Sequence, residues 1–308
     1  MDAMAVILEA PERLSLRPLA LTPMAAADVA VEIHWSGISS GTEKLLWSGR
    51  MPSFPGMGYP LVPGYESVGQ VVDAGADARS RIGEWVFVPG ANCYQDARGL
   101  FGGTARKVII PAVRAVPIDP ALGRDAILTA LAATAYHAIA GGQAPELIVG
   151  HGILGRLIAR IVVALGHPAP TVWEVNSERR ESEGYTVIDP EADDRRDYRT
   201  ICDASGAVDA LDLLIPRLGK GGEIVLAGFY DRLSFAFPPA FMREARLRIA
   251  AEFTPADIAA TRALIGTGAL GLDGLISHTR PASEAAEAYP QAFTDPDCLK
   301  MVLDWRSL

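Results

Sequence analysis

The stretch ELIVGHGILGRLIARIVVALG, residues 146 to 166, leaves few folds open. A short apolar run ends at Gly150, and Gly150, Gly152 and Gly155 then form G-x-G-x-x-G ahead of a run with helical periodicity. The spacing alone says little, but directly after a strand and opening a helix it stands in its required context. The first glycine permits the tight turn. The second lets a pyrophosphate approach the backbone, and the third lets helix and strand pack closely. The N-terminus of the helix that follows, RLIARIVVALG, supplies free N–H groups and a partial positive charge that suit an anion. Gly150, Gly152, Ile153, Leu154 and Gly155 are therefore the expected cofactor contacts.

The surrounding residues extend this reading. Strands and helices alternate from about residue 121 to 265: RDAILTALAATAYHAIAG, ELIVG, RLIARIVVALG, TVWEVN, AVDALDLLIPRLG and EIVLAGF. That alternation implies a parallel sheet with helices on its faces. An acidic residue is expected about 20 residues past the glycines, at the end of the second strand. Glu174 in TVWEVN stands there. Its carboxylate would accept hydrogen bonds from a ribose diol and repel a 2′-phosphate, which favours NAD over NADP. Arg179 and Arg180 follow closely and keep NADP open. His151, inside the loop, reads as a solvent-facing residue. CDASG (202 to 206) supplies Ser205 at the end of a middle strand, and GKGGEIVLAGFY (219 to 230) supplies Gly228 near the reacting end of the cofactor.

Residues 1 to 120 have a different character. Short runs such as AVILEA, DVAVEIHWSGI, SVGQVVDAG and ARKVIIPA are closed by Gly and Pro turns, which predicts a barrel-like β domain. Residues 266 to 308 read as a helix and a strand returning to that first domain. The chain of 308 residues, 49% hydrophobic, is long enough for two cores. A formal charge of -9 argues against nucleic-acid binding, which needs a basic footprint. No apolar run reaches membrane-spanning length. Cys93, Cys202 and Cys298 are far apart and lack metal-type spacing, so a reduced cytoplasmic protein is expected.

Taken together, GISSGTE, PGYESVGQVVDAG, GHGILG and GKGGEIVLAG resemble the medium-chain dehydrogenase/reductase superfamily over almost the whole chain. The resemblance implies an α/β protein: a doubly wound parallel (Rossmann) sheet plus a GroES-like β-rich catalytic domain. Zinc enzymes of that superfamily use Cys-x-Thr-Asp, then Gly-His-Glu, then a Cys just before the cofactor domain. Here Ser40 stands for the first cysteine, Tyr65 for the histidine and Ala130 near the third position, with only the carboxylate, Glu66, kept. Such a set does not make the usual N/S zinc site, so a zinc-free enzyme is expected. Thr42 matches the hydroxyl that relays the alcohol proton, and Thr134 matches a residue beside the nicotinamide. Tyr65 and Glu66 are expected to form a hydrogen-bonded pair facing the substrate, with Lys44 as the cation that would lower the phenol's pKa from about 10.

Longer stretches, including WSGISSGTEKLLWSGRMPSFPGMGYPLVPGYESVG and SFAFPPAFMREARLRIAAEF, are similar to a pigment-oxidising subgroup of that superfamily. This likeness implies NAD-dependent oxidation of the 3-(1-hydroxyethyl) group of a bacteriochlorophyllide to 3-acetyl. A flat apolar substrate needs a broad apolar wall with a few polar anchors. The loop at 45 to 60 offers Trp47, Phe54, Met57 and Tyr59, with Arg50 for a propionate. The stretch with Phe237, Phe241, Met242 and Arg243 offers a second wall or the interface of a homodimer. The rival readings are a zinc-free NADPH-dependent quinone or enone reductase and a non-catalytic nucleotide- or pigment-binding protein.

Overall fold

The computed structural model describes residues 2–308 apart from Phe54, Glu183 and Asp231. Two compact units emerge, Met1–Ala130 with Leu272–Leu308, and Leu131–Gly271. The boundaries lie later in the chain than 120 and 265. The 3-10 turns of Pro120–Leu128 end in buried Ala126, Ile127 and Leu128, and they pack on strands of the first unit.

The first unit opens with an antiparallel hairpin, β1 (Asp2–Ala10) and β2 (Arg13–Ala20). Then come β3 (Asp28–Ile38), the short helix α1 (Thr42–Trp47), β4 (Ser67–Ala74), β5 (Trp85–Val88), β6 (Lys107–Pro111) and β7 (Val116–Pro117). In β3, Val29, Val31 and Ile33 alternate into the core, the period-2 signature of a strand with one buried face.

The chain enters the second unit within α2 (Thr129–Ala140). There follow β8 (Leu147–Val149), α3 (Ile153–Ala164), β9 (Thr171–Trp173), β10 (Thr186–Ile188), β11 (Tyr198–Asp203), α4 (Ala210–Leu214), β12 (Leu218–Leu226), α5 (Phe237–Arg243), β13 (Arg246–Ile249) and α6 (Pro255–Gly266). The sheet runs β10-β9-β8-β11-β12-β13 with every pair parallel. Counted from its own first strand this is 3-2-1-4-5-6, the doubly wound order whose switch point lies between β8 and β11. Its α3 buries Leu157, Ile158, Ile161 and Val162 at helical spacing.

The tail returns to the first unit as β14 (His278–Pro281), α7 (Ala285–Thr294) and β15 (Met301–Asp304). The larger sheet of this unit runs β14-β15-β3-β4-β5-β7, with β6 also on β3. Antiparallel pairing sets Val302 opposite Gly37 and Ser36 opposite Ser67. Three chain segments thereby bring Gly37, Glu66 and Lys300 to one place.

Candidate active site

The dinucleotide side is made mostly of backbone. Gly150 turns at φ +95°, in the left-handed region, and an added Cβ would sit 3.2 Å from the Ser205 backbone. At Gly155 an added Cβ would lie 1.9 Å from the Gly150 carbonyl, so this glycine is what lets α3 lie on the turn. Gly152 caps α3 and has no protein atom within 4 Å of such a Cβ. The free N–H groups of Ile153 and Leu154 follow it. At the switch point Asp203 is buried and accepts from the Ser205 amide (2.9 Å), the Ser205 hydroxyl (2.6 Å) and the Tyr230 phenol (2.8 Å). Tyr230 in turn sits over Gly228, where a Cβ would meet its oxygen at 2.8 Å. Thr134 lies half-buried on α2.

Glu174 follows β9 directly and is 8% exposed. Its two oxygens accept from the Asn176 amide (2.9 Å) and the His151 amide (3.2 Å). His151 does not face solvent as its loop position suggested. It is fully buried, because its ring nitrogens find partners in Arg179 O and the Tyr185 phenol. Arg180 is committed to Glu174 O (2.8 Å), Val175 O (2.9 Å) and the Asp189 carboxylate.

The β-rich unit holds the polar corner, and here several expectations fail. Tyr65 and Glu66 do not pair. Adjacent residues at a strand entrance point apart, so the Tyr65 hydroxyl donates to Ser39 Oγ at 2.9 Å while Glu66 forms an ion pair with Lys300. Lys44 is exposed, and its Nζ donates to Phe293 O at 3.1 Å, so it does not activate the phenol. Burial and the Glu66 charge push the Tyr65 phenol well above its ordinary value. It stays protonated and acts as a donor, not a base. Ser40 is exposed; the hydroxyl that enters the corner belongs to Ser39. Thr42 lies at the same corner, its amide donating to Ser39 Oγ (3.3 Å).

Four more residues complete the corner and were not picked out from sequence. Glu43 is fully buried, accepting from the Tyr289 phenol (2.6 Å) and the Ser39 amide (3.1 Å). Burial pushes its carboxyl up to about 7, with the Glu66 charge adding to the rise. Lys300 is 3% exposed. Gly37 makes room for its ion pair: a Cβ there would lie 2.2 Å from Glu66 Oε2 and 2.9 Å from Lys300 Cε. The Glu66 carboxyl is raised by burial, against which Lys300 works. A lone charged residue ahead of an apolar run, as in CLKMVLDW, was the available signal for Lys300.

This donor set does not suit zinc. At the family's ligand positions only Glu66 is a carboxylate, and it already has an ammonium partner; serine, tyrosine and alanine hold the others, and the nearby Glu43 carboxyl is taken up by the Tyr289 phenol and the Ser39 amide. Among the described residues, no three His, Cys, Asp or Glu side chains gather as a metal-binding group.

The substrate loop is mixed. Trp47 packs on Phe293 with ring centroids 5.7 Å apart, and the Tyr59 hydroxyl donates to Leu46 O, so both rings serve the local core. Arg50 is exposed, and Phe54 lies outside the described residues. On the other unit Phe237, Phe241 and Met242 of α5 are 66%, 66% and 73% exposed, and β13 forms the end of the parallel sheet.

Residues 25–120 match the alcohol dehydrogenase GroES-like domain. Along 311 aligned residues the chain is 59% identical to the 2-desacetyl-2-hydroxyethyl bacteriochlorophyllide A dehydrogenase of Rhodobacter capsulatus, with 99% of each covered. An alcohol dehydrogenase from Escherichia coli CFT073, complexed with NADH, has the same fold at TM-score 0.85 and 20% identity, covering 99% of both chains. A dehydrogenase from Sinorhizobium meliloti 1021, bound to NADP, matches at TM-score 0.83 and 21% identity, covering 99% of this chain and 100% of that one. With a doubly wound sheet, a GroES-like domain and near-complete coverage at that identity, the chain belongs to the bacteriochlorophyllide dehydrogenase family of the medium-chain dehydrogenase/reductase superfamily.

Proposed function

We propose that this oxidoreductase of bacteriochlorophyll a synthesis oxidises the hydroxyethyl side chain of a bacteriochlorophyllide to acetyl, using NAD and no zinc. The observation that carries the reading is the full-length likeness to the Rhodobacter enzyme. The glycine turn, the open face of Gly152 and the anchored Glu174 carboxylate fit a nicotinamide dinucleotide. When bound, that cofactor accepts the hydride from the carbinol carbon. Glu174 supports NAD, since a 2′-phosphate beside a carboxylate is repelled. Arg180, tied to Asp189 and two carbonyls, is not placed to compensate.

The remaining task is the alcohol proton. Thr42 holds the substrate hydroxyl and relays its proton outward to solvent as the hydride leaves the carbinol carbon. Ser39 Oγ accepts from the Thr42 amide and from the Tyr65 phenol, which fixes both from behind. Lys300 neutralises Glu66, so the corner needs no metal charge to keep a buried carboxylate. The product carbonyl gains conjugation with the macrocycle, which lessens the need for a Lewis acid. Arg50 is the anchor assigned to the propionate. A second copy of the chain is assigned to the apolar face of α5 and the open edge of β13. The three buried thiols agree with a reducing cytoplasm, and among the described residues no helix is long and apolar enough to cross a membrane.

The test is turnover of the hydroxyethyl pigment with NAD⁺ after exhaustive chelation. Acetyl formation should shift the pigment's long-wavelength band in step with NADH appearance. Activity that returns only with added zinc would defeat the zinc-free reading. Turnover with NADP⁺ alone would defeat the choice of NAD, and binding without NADH would favour the non-catalytic alternative.

A further inference from the structure

His151 stands between two glycines of the cofactor turn, where a small or flexible residue would suffice to make the turn itself. It is instead fully buried and bonded at every polar atom. Its Nδ1 lies 2.5 Å from the Arg179 carbonyl, which can only accept, so Nδ1 carries the proton. Nε2 is then an acceptor, and the Tyr185 phenol donates to it at 2.9 Å. The two rings meet edge to face, 5.6 Å apart at 82°. The His151 amide donates to Glu174 Oε2, and its carbonyl accepts from Arg156 Nε at 3.1 Å. Arg156 Nη2 reaches the same Arg179 carbonyl at 3.2 Å. Burial pushes the imidazole down to about 4, so near neutral pH it keeps one tautomer and no charge.

We propose that His151 is a positioning residue for cofactor choice: it ties the glycine turn to the Arg179 carbonyl and to Tyr185, and holds Glu174 as a seat for the adenosine ribose that rejects a 2′-phosphate. The proposal rests on the NAD reading above. A carboxylate held at both oxygens by backbone N–H groups keeps lone pairs for a ribose diol and loses little freedom when the ribose arrives. The same mesh occupies two cations. Arg156 and Arg180 direct N–H groups at main-chain carbonyls, and Arg180 also at Asp189. Without the ring, the Arg179 carbonyl and Tyr185 are released from the turn, Glu174 can rotate, and Arg156 loses the carbonyl geometry that engages it. NAD then loses its pre-formed partner, while NADP loses a repulsion. NAD⁺ and NADP⁺ differ only at that ribose, so the ratio of their affinities reports on this corner alone.

The experiment measures Kd for NAD⁺ and NADP⁺, by calorimetry, in the full chain and in His151→Ala, His151→Asn and Tyr185→Phe, with kcat at saturating NAD⁺. His151→Ala should weaken NAD⁺ about tenfold, the scale of losing buried hydrogen bonds. NADP⁺ should change by no more than about twofold, and kcat should stay within about twofold because nothing at the reacting end is altered. Tyr185→Phe and His151→Asn should move the ratio the same way by less, and Tyr185→Phe carries the test if His151→Ala does not fold. Equal loss of both nucleotides marks a general loop defect and overturns the proposal, as does an unchanged ratio. A wild-type chain that prefers NADP⁺ overturns the NAD reading first; one that prefers NAD⁺ while the variants keep its ratio overturns the role of His151 alone.

Discussion

The two units build their candidate sites in opposite ways. The dinucleotide unit builds its turn from missing side chains: Gly150, Gly152 and Gly155 let backbone, helix end and ligand approach one another. The β-rich unit builds its corner from side chains drawn from distant segments, with Ser39, Glu43, Glu66, Tyr289 and Lys300 all nearly or fully buried. A backbone site is fixed by local sequence and tolerates charge changes. A buried polar site depends on every partner, because one removed charge leaves another unpaired.

Lys300→Met is the strongest way to break that contrast. It leaves the Glu66 carboxyl buried with no cation, and removing one member of a buried ion pair costs about 3–5 kcal/mol. The loss should shrink in acid, where Glu66 is protonated, and the double variant Lys300→Met, Glu66→Gln should recover much of it. Urea unfolding at several pH values measures this. A Lys300→Met chain within about 1 kcal/mol of wild type would mean that the corner is no more charge-dependent than a surface pair.

Glu43→Gln probes the same corner through pH. The Glu43 carboxyl sits near 7 in the folded chain against 4.5 ordinarily, so between those values the folded state holds a proton that the unfolded state has released. Its contribution to stability is therefore complete below about pH 4.5 and is lost as pH rises through 7. A shift of that size corresponds to something on the order of 3 kcal/mol across the window. Glu43→Gln removes the titrating group, so the difference in unfolding free energy between wild type and variant should change by about that amount from pH 4.5 to 8. A flat difference would show that Glu43 ionises normally in the folded chain.

The contrast also explains what could be read from sequence. The glycine turn and Glu174 follow local rules, visible within about twenty residues of each other, and the parallel sheet follows from the alternation of strands and helices. Thr42 was picked out through the superfamily resemblance, and it begins the short helix α1. The partners of Tyr65 and Glu66 were not. Lys300 lies far along the chain, and only the β15–β3 register carries it to Gly37. Ser39 rather than Ser40 enters the corner: in the turn after β3 Ser40 is exposed, while Ser39 Oγ accepts from the Tyr65 phenol. Lys44 was the candidate cation for the phenol, but its Nζ donates to Phe293 O. His151 looked exposed because loops usually are, and its burial depends on Tyr185 and the Arg179 carbonyl.

Within the glycine turn itself, two neighbouring positions separate packing from binding. Gly155→Ala places a Cβ 1.9 Å from the Gly150 carbonyl, so α3 must move off the turn. That overpacking costs about 1–3 kcal/mol, and cofactor affinity falls with it. Gly152 has φ -73° and no protein atom within 4 Å of a Cβ, so a side chain is free to form there in the empty protein. It is also the N-cap of α3, where serine serves as well as glycine or better by a few tenths of a kcal/mol. Gly152→Ser should therefore leave the melting temperature equal or slightly higher while NAD⁺ affinity drops by about tenfold, since the new side chain fills the approach of the pyrophosphate. Thermal melts and nucleotide titration on the two variants read both quantities. If Gly152→Ser binds NAD⁺ as the wild type does, the open face of that glycine is not where the pyrophosphate lies, and the backbone half of the comparison fails.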